Sequence, residues 1–245
     1  SLDDLGRRLP DAPPLTRARS YLDRLVRLVD QLLNLSELQA HPLSEPGHPW
    51  SISTVLGFIV RSFEPLAQQR GIRFSAEIEE HCLTACSQHH VEQVALNLIS
   101  NALKYSPPDA VVTVTLRTLG EGLCLTVEDS GPGIDPMEHE AIFERFHRSE
   151  EARTSGNAGA GIGLALVRET VDALGGRIEL ESAPGQGSRF RVMLPGEHFP
   201  NLLIPPQSMD RKALDLEVAQ LSPLPPPEGL GLAAEDKDPG LILIV

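Results

Sequence analysis

Residues 111–129 read VVTVTLRTLGEGLCLTVED, two strand patterns joined by a glycine-containing turn. A hairpin of that length demands a sheet, and a sheet demands an apolar layer laid over its face, so a pure helical bundle is excluded. The flanking sequence supplies both. IRFSAEI (72–78) and HCLTACS (81–87) read as short strands, and RIELES (177–182) with SRFRVML (188–194) reads as a closing hairpin. Between them lie four helical stretches. The first is capped by Ser53, runs to about Gln69 and is ended by Gly71; the second covers 88–105, with Ser87 as its cap and Ser106-Pro-Pro-Asp as its stop. A short helix is expected over 138–146, and another over 162–174, ended by Gly175-Gly176. Helices interleaved with strands in this way give an α+β fold, a two-layer α/β sandwich on a mixed, mostly antiparallel sheet.

The ends differ in texture. Residues 15–40 place Leu22, Leu25, Val29 and Leu32 at alternating spacings of three and four, a narrow seam that needs a partner helix. A proline- and histidine-containing break, 41–48, precedes the globular part, which is expected over 49–195. Residues 196–239 are rich in proline and acid and read as linker. The closing LILIV within 240–245 has the apolar, β-branched character of a strand buried on both faces. A chain that opens on Ser1 and closes on such a strand reads as part of something longer.

Net charge and cysteine content limit the function. A formal charge of −13 argues against a general nucleic-acid binder, which needs a basic face, so a polyanionic ligand would require a metal ion or a local basic patch. Three cysteines, Cys82, Cys86 and Cys124, are an odd number that points to a reducing compartment. No apolar run approaches the ~20 residues that span a bilayer. The cluster His81, Cys82, Cys86, His89 and His90 invites a metal-site reading, but its spacing is looser than that of paired zinc ligands, and ordinary packing is the favoured reading.

Three segments carry chemistry. NLISNALKYS (97–106) places Asn97, Asn101 and Lys104 on one side of the 88–105 helix, opposite an apolar face of Val91, Val94, Ala95, Leu98, Ile99 and Ala102. The three polar residues are therefore expected outside the core. EDSGPGI (128–134) ends a strand in Asp129 and follows it with Gly131 and Gly133, which admit a close ligand or a sharp turn. SGNAGAGIGLALVRE (155–169) is a glycine-rich loop running into a helix, a natural seat for phosphate. A dinucleotide-binding reading fails, because the glycines are spaced G-x-G-x-G and a polar loop rather than a strand precedes them.

Together, in this order and spacing, these segments resemble the ATP-binding catalytic domain of sensor histidine kinases, within the superfamily that also holds type II topoisomerases, the large heat-shock chaperone, mismatch-repair ATPases and anti-sigma-factor kinases. NLISNALKYS resembles the N box, EDSGPGI the first glycine box, IFERFHRSE the F box, GAGIGLALV the second glycine box, and GQGSRF the last box before the final strand. The resemblance spans about residues 15–195 and implies the histidine-kinase-type ATPase fold, preceded over 1–40 by part of a dimerisation hairpin.

It also implies roles. Asn101 would ligate Mg²⁺ through a neutral oxygen, suited to a hard cation already surrounded by triphosphate. Asn97 would hold phosphate or metal-bound water, and Lys104, Arg145 and Arg148 would meet the phosphates, with Asn101, Lys104 and Arg148 as the catalytic set. Tyr105 would pack against adenine or ribose, and Asp129 would accept from the adenine amino group, supported by Ser188 directly or through water. Gly131, Gly133, Ile134 and Leu164 would complete the nucleotide-facing set. Gly159, Gly161 and Gly163 would close a lid over the phosphates, and Phe143 and Phe146 would anchor its base by burial.

Where the family often has an acid before the N-box helix, this chain has Ser87, which caps equally well. The implied partners are ATP, a response-regulator receiver domain (separate, or fused after residue 245) and a second copy through the hairpin. Nucleic acid is not among them, and membrane contact would come only through other parts of the parent, leaving this piece cytoplasmic. No histidine precedes His41, so the usual phosphoacceptor is not in this sequence. Two other readings remain open: a module that binds nucleotide or a partner without transfer, and an anti-sigma-type serine kinase.

Overall fold

In the computed structural model the described residues are 49–120, 122–147, 161–199 and 218. The expected hairpin helix, the break at 41–48, the loop at 148–160 and the closing LILIV lie outside them. Strand β1 (Trp50–Ser51) leads into α1 (Ile52–Gln69). Ile52, Val55, Leu56, Ile59, Val60, Phe63, Leu66 and Ala67 recur at helical spacing and are all buried. Full burial of such a large apolar side chain contributes about 1.5–3 kcal/mol, so this stripe fixes the helix to the sheet.

The cap of α1 is Ser51 rather than the expected Ser53: the Ser51 hydroxyl accepts from the Thr54 amide at 3.2 Å. Ser53, two residues inside the helix, instead ties it to the next turn of chain, donating to the Glu79 carbonyl at 2.7 Å and accepting from the Cys82 amide at 3.1 Å. Gly71 takes the left-handed φ of +68° just past the helix end, as expected of a glycine stop.

Strands β2 (Arg73–Ile78) and β3 (Cys82–Thr84) precede α2 (Gln88–Tyr105), and β4 (Val111–Leu119) and β5 (Gly122–Asp129) follow it as the expected hairpin. Next come α3 (Gly163–Ala173), β6 (Arg177–Ser182), β7 (Ser188–Pro195) and β8 (Glu197–His198). Cys86, expected on a strand with Cys82, lies beyond the end of β3. Ser87 stands at the cap position of α2, yet its side chain caps no backbone amide; its hydroxyl meets His90 Nδ1 at 2.7 Å. In place of a helix over 138–146 there are two 3₁₀ turns, Pro136–Glu138 and Ala141–Phe143, and the second ends where the backbone turns extended at Glu144.

The main sheet has the order β2-β4-β5-β7-β6, with only β2 and β4 parallel. One face carries Val112, Val114, Leu116, Leu123, Leu125, Val127, Phe190, Val192 and Leu194 into the core beneath the helices. The other face is laced by ion pairs: Glu77–Arg117, and a chain running Glu128–Arg189–Glu181–Arg191. This is the two-layer, mostly antiparallel α+β sandwich expected from the sequence.

A second sheet, β1-β3-β8, was not foreseen, because two-residue strands carry no periodicity. Its strand β8 falls just past the boundary expected at residue 195, and Val218, still further on, is helical and half-buried against the core. Among the described residues no helix is long and apolar enough to cross a membrane.

Candidate functional site

The C-terminal half of α2 carries Asn97, Asn101, Lys104 and Tyr105. Asn97 departs from expectation: it is only 9% exposed, because α3 lies across the side of α2 that the sequence leaves polar. Its Nδ2 donates to the Gln93 carbonyl at 2.9 Å, which leaves Oδ1 directed at the start of α3. There Gly163 makes the approach possible. A Cβ at that position would lie 2.9 Å from Asn97 Oδ1 and 4.0 Å from Asn101 Nδ2. Ile162 occupies the cap position of α3 and offers no side-chain acceptor, and the first turn holds no acid. The positive end of a helix, with amides that no cap satisfies, thus faces two carboxamides.

At the C-terminal end of α2 the same helix meets the end of β5. Asp129 Oδ1 accepts from the Gly131 amide at 2.8 Å, and a Cβ on Gly131 would sit 2.7 Å from that oxygen and 3.4 Å from the Tyr105 carbonyl. Asp129 and Tyr105 are therefore separated by the thickness of one glycine. Tyr105 lies one helical turn, about 6 Å, from Asn101. Burial pushes the Asp129 carboxyl above the usual carboxylate range, against the pull of the Gly131 and Ser188 amides. Ser188 supports Asp129 through its backbone, as the register partner across β5 and β7.

The turns behind Asp129 are locked by Ser182, which the sequence reading did not single out. Its hydroxyl accepts from the Ile134 amide at 2.8 Å and donates to the Gly187 carbonyl at 2.7 Å, with the Ser188 hydroxyl 3.2 Å away. Gly133 and Gly187 hold φ of +75° and +78°, and a Cβ on them would overlap the Ala183 and Asp129 carbonyl oxygens respectively. Glycine is required at both for space as well as conformation.

The F-box residues divide. Phe143 is buried and meets Phe190 edge-on, with the Arg168 guanidinium 4.0 Å above its ring. Phe146, expected to anchor the lid by burial, is 64% exposed. The backbone there takes φ +67° and binds the Gly161 carbonyl through the Phe146 amide at 2.7 Å, which turns the ring outward. Arg145 forks onto Glu169 of α3, with contacts of 3.0 and 3.1 Å, and Arg168 reaches Glu140 at 3.2 Å. Residues 168 and 169 thus hold the F-box segment from α3, a role with no local signal, since Arg145 and Glu169 are 24 residues apart. Lys104 Nζ lies 4.9 Å over the Tyr105 ring. Leu164 and Ile134 are half-buried against the core. Arg148 and Gly159 lie outside the described residues.

Among the described residues two buried side-chain polar atoms have no hydrogen-bond partner, Ser106 Oγ and His147 Nδ1. Both residues adjoin the glycines just described: Ser106 lies beside Gly131, and His147 beside Gly161. The donor set also suits a hard cation bound together with an anion, since its side-chain oxygens at Asn97 and Asn101 are neutral.

Residues 86–198 match the family described as histidine kinase-, DNA gyrase B-, and HSP90-like ATPase. The sensor histidine kinase TmoS of Ectopseudomonas mendocina is 34% identical over 172 residues, covering 70% of this chain; the chain spans only 18% of TmoS. Among solved structures, a mycobacterial sensor histidine kinase, MprB, superposes with a TM-score of 0.55 at 32% identity, covering 62% of this chain and all of that one. The full-length ShkA structure, in complex with AMPPNP, gives a TM-score of 0.63 at 28% identity over 75% of this chain and 38% of its own. The chain belongs to the histidine kinase-, DNA gyrase B- and HSP90-like ATPases, and within them to the ATP-binding catalytic domains of sensor histidine kinases.

Proposed function

We propose that this domain binds Mg-ATP along the C-terminal half of α2 and transfers the γ-phosphoryl group to a histidine on a dimerisation helix. The adenine lies at the Asp129 end, where the carboxylate accepts from the exocyclic amino group and Tyr105 flanks the ring or the ribose. The triphosphate runs toward Asn97, Asn101 and the first turn of α3, whose uncapped amides favour anions. Lys104, with Arg145 and Arg148, balances phosphate charge that an acidic protein would otherwise repel. Asn101 holds the magnesium ion, which when bound neutralises the triphosphate. Asn97 orients phosphate or water beside it.

Transfer breaks the bond from the γ-phosphorus to its bridging oxygen and forms one to an imidazole nitrogen, releasing ADP. Positioning and charge neutralisation supply most of the catalysis. In the parent protein the 1–40 segment contributes to a dimerising hairpin, and a receiver domain accepts the phosphoryl group.

The observation that carries this reading is that α2 brings two carboxamides against the glycine start of α3 and, one turn on, a buried strand-end aspartate against Gly131. Calorimetric titration of ATP with and without Mg²⁺ tests it. Binding to the wild type should depend on the metal, and Asn101→Ala should bind at least about tenfold more weakly, with most of that dependence gone. Equal binding with and without Mg²⁺ in both proteins would reject the assignment.

A further inference from the structure

Away from the nucleotide site, three donors of different chemistry converge at the small sheet. Glu79 follows β2, Cys82 opens β3 and His198 closes β8. One ligand atom from each lies within 4.8 Å of the other two, and His198 Nδ1 is 3.4 Å from Glu79 Oε1. Cys82 and His198 are direct partners in the antiparallel β3–β8 pair, so their side chains leave the same face. The five histidines and cysteines flagged in the sequence do not gather among the described residues; only Cys82 is shared with this trio.

We propose that Glu79, Cys82 and His198 form a zinc site with three protein ligands and one open position. Sulfur, imidazole nitrogen and carboxylate oxygen are the donors zinc takes, at about 2.3 Å for sulfur and about 2.0–2.2 Å for the others. Tetrahedral bonds of those lengths set donors about 3.3–3.8 Å apart, so the trio must contract by about 1 Å. His198, exposed on a two-residue edge strand, can make that movement, whereas Cys82 is fully buried and fixed.

The outer partners fit as well. Glu79 Oε2 accepts the Thr118 amide at 2.6 Å, which orients the carboxylate and leaves Oε1 for the metal. Without metal, burial keeps the Cys82 thiol protonated. As the zinc–sulfur bond forms, that proton leaves to solvent, and His198 donates the lone pair of its neutral ring. The bound ion would fasten β8, the last strand of the domain, to β3 and to the turn after β2.

The test uses the full, tag-free chain, titrated with Zn²⁺ against a chromophoric chelator and separately loaded with Co²⁺. One zinc per chain is expected, with a thiolate-to-cobalt charge-transfer band. His198→Ala and Glu79→Gln should each weaken zinc binding at least about tenfold, and Cys82→Ser should abolish the band. Cys86→Ser and His81→Ala should change neither. Because Cys82 is a core residue, its variant could fail to fold; exposed His198 then decides. Absence of stoichiometric uptake, uptake undiminished in His198→Ala, or a cobalt complex with no thiolate band would each overturn the proposal, leaving a Glu–His contact beside a buried thiol.

Discussion

Replacing Asp129 by asparagine should separate ligand recognition from stability. The carboxylate spends Oδ1 on the Gly131 amide at 2.8 Å and also draws the Ser188 amide, so its remaining acceptor capacity is what a purine amino group could use. Asparagine can keep the Gly131 bond through its own oxygen, but then turns an NH₂ toward the purine, a donor facing a donor. A hydrogen bond to a charged acceptor contributes about 1.5–3 kcal/mol, which corresponds to an ATP affinity lower by about 10- to 150-fold. Stability should move the other way. Burial raises the Asp129 pKa in the folded state, so the native protein binds its proton more tightly than the unfolded chain does. Native stability therefore falls as pH rises from the unfolded pKa through the folded one, and at neutral pH the ionised carboxylate is a net cost. Asp129→Asn removes that cost, so the apo variant should be at least as stable as wild type at neutral pH, with its advantage shrinking in acid. Urea unfolding across pH and calorimetry with ATP measure the two effects. ATP binding within about threefold of wild type would refute the recognition argument, and a variant destabilised at neutral pH would refute the electrostatic one.

Gly187→Ala should destabilise the fold by at least about 3 kcal/mol, because the new Cβ at φ +78° would overlap the Asp129 carbonyl oxygen. A urea-unfolding loss under about 1 kcal/mol would show that the turn yields more easily than its geometry implies. Glu169→Gln breaks the fork that holds Arg145, a half-exposed pair worth about 0.2–1 kcal/mol. If Arg145 turns to phosphate as proposed, its release should tighten ATP binding by up to about fivefold. Weaker binding in a calorimetric titration would instead make Arg145 a strap for the F-box segment.

Much of the site was legible in the sequence because its geometry is local. The spacing of Asn97, Asn101 and Tyr105 along one helix, the aspartate at a strand end and the glycines beside it follow from helical and strand periods and from the φ values only glycine holds cheaply. The structure sets Gly163 against Asn97 and Asn101, and Gly131 against Asp129 and Tyr105. Phe146 was misread because its orientation depends on a bond between its own amide and Gly161, fifteen positions along.

The sequence alone determined the longer helices, the strands of the main sheet and several of the places where glycine must stand, since each is written in periods of two or 3.6 residues or in a single backbone angle. Tertiary structure decided the rest. Asn97 became buried only because α3 crosses α2. Arg145 met Glu169, Ser182 locked the turns behind Asp129, and Glu79, Cys82 and His198 came together across more than a hundred residues of chain. Such contacts join elements whose separation along the chain carries no period, so only the closing of the sheet and the docking of the helices could reveal them.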